Sequence, residues 1–144
     1  PKKKMKEVPI TEITLRKYEP PVRMSKREIV RKLCLSLGLL QPGDSRDSIV
    51  DLLHIFLAYR KGLPYSRIED LLIKRRKKQQ LPGVTPANIH RHLRRLRELY
   101  IIEKHLDTYR LTENMKLEDI FEQKIIRNQV EPILSRIKEY IARI

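Results

Sequence analysis

Between Lys74 and Arg97 the chain reads KRRKKQQLPGVTPANIHRHLRRLR, nine Lys or Arg residues without one Asp or Glu, yet apolar residues recur through its second half at helical spacing. Thr85 is a helix-cap residue, and Pro86 suits the first helical position because its missing N–H would be unpaired there anyway. At about 100° per residue Ile89, Leu93, Leu96 and Tyr100 fall in one narrow stripe, while Ala87, Arg91, Arg94 and Arg95 lie on the other side. The sequence thus calls for a helix from Thr85 to about Tyr100 with one wall in a core and the other facing an anionic partner. A solvated basic helix would intersperse Glu at i,i+4 spacing, and here the first acid is Glu98.

The rest of the chain carries the same charge bias. Its 144 residues hold 32 Lys or Arg against 18 Asp or Glu, a formal charge of +14, which favours DNA, RNA or an anionic membrane surface as partner. No apolar run reaches membrane-spanning length and no signal-type apolar segment follows the N-terminal lysines, so a soluble, cytoplasmic protein with no membrane partner is expected. A single cysteine, Cys34, excludes an internal disulfide and a thiolate metal site; among Leu33, Leu35 and Leu37 it is expected to be a small core residue. Gly-rich phosphate loops, HExxH and a nucleophile elbow are missing. His90 and His92, two apart on a helix, point in different directions and make a poor metal pair; with His54 and His105 they read as base or phosphate contacts or plain surface. The expectation is no enzyme, no cofactor and no metal.

Three regions follow in order. Residues 1–24 read as an extended basic arm, PKKKMK followed by β-branched residues between prolines. Residues 25–115 hold the folded unit. Ser25 and Glu28 form a capping box ahead of Ile29, Leu33 and Leu37, and Gly38 stops that helix. Asp44 or Ser45 is positioned to cap a second helix with Ile49, Leu52, Leu53 and Phe56 at helical spacing, and Pro64 and Ser66 open a third with Ile68, Leu71 and Leu72 as its apolar face. After Tyr100 the period shortens: residues 101–105 alternate, Leu106-Asp107-Thr108 is a turn, and Tyr109-Arg110-Leu111 returns as a β-hairpin. Residues 116–144 read as an amphipathic helix, continuous or broken at Pro132, in which Ile126, Val130, Ile133, Ile137 and Tyr140 repeat at alternating spacings of four and three, the seam of a homodimer or a cover for the chain's own core.

The fold class expected is mainly α with a small β-hairpin: a winged helix-turn-helix followed by a C-terminal amphipathic helix. The return strand Tyr109-Arg110-Leu111-Thr112-Glu113 resembles the Tyr-x-Leu-Thr step that ends the wing of many bacterial and archaeal winged-helix regulators, over about Ser48 to Glu113. Among them the chain resembles the small archaeal winged-helix transcription factors, including the euryarchaeal archaellum activator family. Two departures stand out: Asn114 and Met115 occupy the place of the usual Gly after the Thr, and the segment 77–84 between the two helix-turn-helix helices is long.

The resemblance implies that the helix of about 85–99 enters the major groove of double-stranded DNA while the hairpin tip lies near the backbone or minor groove. Arg91, Arg94 and Arg95 would then read guanines and Asn88 an adenine, while Lys74, Arg75, Lys77 and Lys78 meet phosphates; Thr85, Ala87 and Arg110 complete the expected contact set. The function expected is sequence-specific transcription regulation. Its alternatives are a winged helix serving as a protein-interaction subunit of the basal transcription or replication machinery, in which basal factors are the partners, and an RNA-binding module, against which the 6% aromatic content weighs.

Overall fold

Ser25 starts the first helix as the capping box predicts, its Oγ accepting from the Glu28 N–H at 3.2 Å, and α1 runs Lys26–Ser36. The protein is described here from a computed structural model covering residues 7–144, so the Lys2, Lys3, Lys4 and Lys6 cluster of the arm lies outside the described residues. Further on come α2 (Ser48–Ala58), α3 (Tyr65–Lys78), α4 (Pro86–Glu98) and an antiparallel hairpin of β1 (Ile102–His105) and β2 (Thr108–Leu111). A last helical run contains α5 (Leu117–Ile120), π-helical turns over Phe121–Val130 and α6 (Glu131–Ala142). The protein is mainly helical with one small hairpin, and no helix among the described residues is long and apolar enough to cross a membrane.

One hydrophobic cluster joins these elements, from Val30 on α1 through Leu52, Leu53 and Phe56 on α2, Ile68 and Leu72 on α3 and Ile89, Leu93 and Leu96 on α4 to Leu111, Ile120 and Ile125. Beside it lies a second, ionic cluster. Asp47 and Asp51, nearly or fully buried, receive four arginines: Arg76 Nη1 donates to both at 2.9 and 2.8 Å, Arg27 Nη2 to both at 3.0 Å, Arg31 to Asp47 at 2.8 Å and Arg75 to Asp51 at 3.1 Å. Arg76 is itself only 2% exposed. The cluster ties α1 and α3 to the first turn of α2.

It also explains two departures from the expected pattern. On α1 the inward stripe is Arg27, Val30, Arg31 and Cys34, and Ile29, expected in the core, is 42% exposed. Inward-facing arginines count as polar in a hydrophobic periodicity, so the stripe they share with Val30 and Cys34 is invisible to it. On α2 neither Asp44 nor Ser45 is the cap. Asp47 holds the N-cap position but makes no side-chain cap bond, because its carboxylate is engaged by arginines. Cys34 is fully buried, and burial pushes its thiol up to about 12.

The ends of α4 and of the hairpin rest on left-handed residues. Tyr100, expected on the core stripe, lies beyond the helix at φ +63 and is 56% exposed; Ile101 takes the core position instead, its N–H reaching Leu96 O at 3.0 Å. After the hairpin, where no glycine stands, Glu113 and Asn114 adopt φ +53 and +54 themselves. The Arg60 guanidinium holds that exit, donating to Asn114 O at 3.1 Å and Met115 O at 2.6 Å.

Residues 7–24 form neither helix nor strand, and 14–19 lie against α1 and the turn after it. The Arg16 N–H donates to Ser36 O at 2.9 Å and its guanidinium to Leu35 O at 2.9 Å, while Lys32 pairs with Glu19 and sits over the Tyr18 ring. Gly38, at φ +72, lies so close to Thr14 that an added Cβ would stand 2.7 Å from the Thr14 Cβ.

At the other end Pro132 brings no break. It sits in the first turn of α6, and the Glu131 N–H before it reaches back five residues to Ile126 O, the wider π turn. Of the expected seam, Val130 packs against the chain's own core and Ile126 is half-buried, whereas α6 has no buried residue and leaves Ile137 49% and Tyr140 67% exposed.

The ionic cluster gives a stability prediction. Burial by itself would raise the Asp51 carboxyl, but hydrogen bonds and charge from Arg27, Arg76 and Arg75 outweigh it and bring its pKa from 3.8 down to about 2. The unfolded chain therefore takes up this proton first on acidification, and stability present above pH 3.8 is lost as the pH falls towards 2. Asp51→Asn leaves Arg76 buried without its full countercharge and should cost about 3–5 kcal/mol in urea unfolding at neutral pH. A loss below 1 kcal/mol would show that the cluster contributes no more than a surface pair does.

Candidate nucleic-acid interface

Thr85 caps α4 as its position in the sequence requires, Oγ1 accepting from the Asn88 N–H at 3.2 Å with Pro86 following at the first helical position. With Ile89, Leu93 and Leu96 buried, the helix turns Ala87, His90, Arg91, Arg94, Arg97 and Glu98 to solvent. Arg91 Nη2 donates to Asn88 Oδ1 at 2.6 Å, so two of the four residues expected to read bases are bonded to each other across one turn. Lys77 and Lys78 stand exposed at the end of α3 with no acidic partner among the described residues, and Lys74 pairs with Asp70 at 3.0 Å while staying 73% exposed. These side chains leave exposed basic charge on both α3 and α4.

Other cations of the expected set are held elsewhere. Arg75 belongs to the Asp51 cluster. Arg95 is half-buried and donates to Gly38 O, fastening α4 to the turn after α1. On the hairpin, register pairs Arg110 with Glu103, and their side chains meet at 2.9 Å. Burial opposes the ionised Glu103, but its bonds to Arg110 and to the Glu113 N–H hold its pKa below the usual value. Long side chains with nearby acceptors fold back onto the protein, and sequence spacing alone does not disclose those acceptors.

The histidines separate by environment. His90 stacks on Tyr65 at the start of α3, ring centroids 4.2 Å apart and planes within 7°. His92 is instead half-buried and hydrogen-bonded to Ser48 Oγ at 2.9 Å, so it is not plain surface. His105 is exposed on the hairpin, and His54 Nδ1 is buried without a hydrogen-bond partner among the described residues. No group of three or more His, Cys, Asp or Glu residues is placed to hold a metal ion among the described residues.

Arg46, in the turn before α2, carries no signal in the sequence. Its side chain is 88% exposed and lines a cavity of about 280 Å³ with Arg91 and Arg95. A run of Asp, Ser and Arg between two helices gave no sign that it would meet α4, 45 residues further on.

Long-range placement of His92 has a measurable consequence. Burial, then the charges of Arg91, Arg95 and Arg76, push its pKa from 6.5 down to about 4. The unfolded chain binds this proton near pH 6.5 and the folded chain only near 4, so the stability linked to the neutral ring is complete above 6.5 and is lost as the pH falls through 4. Urea midpoints at pH 7.5, 5 and 4 should decline in the wild type and decline less in His92→Gln; parallel curves would rule out a neutral buried imidazole.

Comparison of the chain with protein-family models, with curated proteins and with solved structures finds no match in any of the three, so the functional reading rests on its own residues and geometry.

Proposed function

We propose that this protein is a sequence-specific, double-stranded DNA-binding transcription regulator of winged helix-turn-helix type, with α4 in the major groove. The observation that carries the proposal is the solvent-facing side of α4, where Ala87, Arg91 and Arg94 are exposed while the opposite stripe anchors the helix in the core; Lys77 and Lys78 stand exposed at the end of α3. A helix held this rigidly presents guanidinium forks to base edges and leaves the flanking lysines to phosphates.

Topology supports the same reading. Leu63, between α2 and α3, exchanges both backbone hydrogen bonds with Tyr109 at 2.8 Å and so adds a third, one-residue strand beside the hairpin. Helix, short strand, two helices and hairpin is the winged-helix order, with the hairpin tip at Leu106 and Asp107 as the wing. If five to seven cations contact phosphate, log K for a duplex should fall against log salt with a slope of about −4.5 to −6. A slope near −1 would end the DNA reading. Arg94→Ala should cost about 1–3 kcal/mol on the preferred duplex and relax base preference, while Lys77→Ala should weaken every duplex alike.

One helix reads only a few base pairs, so a second copy is part of the proposal. The occupant we assign to the exposed face of α6, Ile137, Tyr140 and Ile141, is the same face of another chain. Its flanking residues, Glu131, Arg136, Lys138, Glu139 and Arg143, are of both signs, so an antiparallel pair places acids opposite bases. Light scattering at micromolar concentration should give a dimer, and Ile137→Glu with Ile141→Glu a folded monomer with weaker duplex binding. A wild-type monomer would rule this interface out.

A further inference from the structure

The cavity of about 280 Å³ beside α4 has a composition that base reading does not require. Four arginines line it, Arg46, Arg76, Arg91 and Arg95, against one acid, Asp44, which itself lies 3.8 Å from Arg46. Arg76 is 2% exposed; its Nε goes to Pro82 O and its Nη1 to Asp47 and Asp51, which leaves Nη2 without an acceptor among the described residues. The lining also includes Ser48 and Ile49, the opening residues of α2.

Each feature favours an anion of a particular kind. Guanidinium forks and a hydroxyl suit the several oxygens of a phosphate group. The volume is close to the lower bound for small-molecule sites, and a duplex is far too wide to enter it. Asn88 and Arg91 line the cavity as well as facing outward, so an occupant would touch two of the residues assigned to base reading.

We propose that this cavity binds a small free phosphoanion, making the root of α4 an effector site within the helical domain itself. The binding claim stands apart from the DNA reading. Its regulatory consequence rests on that reading: an anion held by Arg91 and Arg95 reduces the positive charge offered to DNA, so duplex affinity falls when the site is filled.

The test uses the full chain and inorganic pyrophosphate as probe, followed by amide and imidazole NMR at constant ionic strength. Saturable shifts centred on Ser48, Asn88 and His92 are expected, with a Kd of about 1 mM or tighter. Arg46→Gln should weaken binding at least about tenfold. This side chain is exposed and holds no part of the core, so the variant stays informative even if Arg95→Gln, which also releases Gly38 O, fails to fold. Arg94→Gln, on the outer face of α4, should leave pyrophosphate binding unchanged while lowering duplex affinity. No saturation by about 20 mM, shifts unaffected by Arg46→Gln, or cavity shifts produced by a duplex but never by pyrophosphate would each overturn the proposal. Pyrophosphate binding without any duplex binding would refute the DNA reading and leave the site standing; the reverse pattern would refute the site alone.

Discussion

Two buried aspartates on one turn of α2 determine how the helices are arranged. Asp47 and Asp51 lose their water on folding, a cost that only well-placed cations offset, and four arginines from α1 and α3 supply them. Because the carboxylates are fixed by α2, the guanidiniums fix the rotation of α1 about its axis and the distance of α3. The apolar cluster then fills the remaining space. Hydrophobic contact is the larger source of stability, but it is non-directional and would tolerate several rotations of α1; the ionic cluster tolerates one.

The same cluster decides which positive charges reach the surface. Arg75 and Arg76 turn inward to the aspartates and Arg95 to a backbone carbonyl, which leaves Lys74, Lys77, Lys78, Arg91, Arg94 and Arg97 outside. The outward set forms the proposed duplex surface. The boundary between the two sets is the arginine-lined cavity, where Arg76 is fully buried and Arg91 exposed within a single pocket. Filling that cavity with an anion would act on both sets at once, which is the physical basis for proposing regulation there.

Away from this centre, the chain's ends behave differently. Residues 16–19 are held on α1 by the backbone and side-chain bonds of Arg16 and by the ion pair of Glu19 and Lys32. The helical run after the hairpin is anchored through Ile120, Ile125 and Gln129, whose side-chain amide reaches Lys124 O and Leu99 O. Beyond Pro132 the anchoring stops, and the apolar residues of α6 face an open groove of about 440 Å³ that Val8 to Thr11 also line.

What could be read from the sequence alone was what neighbouring residues settle between themselves. Ser25 with Glu28, Thr85 with Pro86, Gly38 after α1 and the change of period after Tyr100 act over a few positions, so the caps of α1 and α4, the end of α1 and the hairpin followed from local chemistry. Three outcomes needed the tertiary structure. The inward face of α1 depended on acids 16 to 24 residues away, the division of the arginines on acceptors up to 57 residues away, and the exposure of α6 on where the core ended. A long charged side chain reads as surface in any periodicity, and only the folded chain places a carboxylate or a carbonyl within its reach.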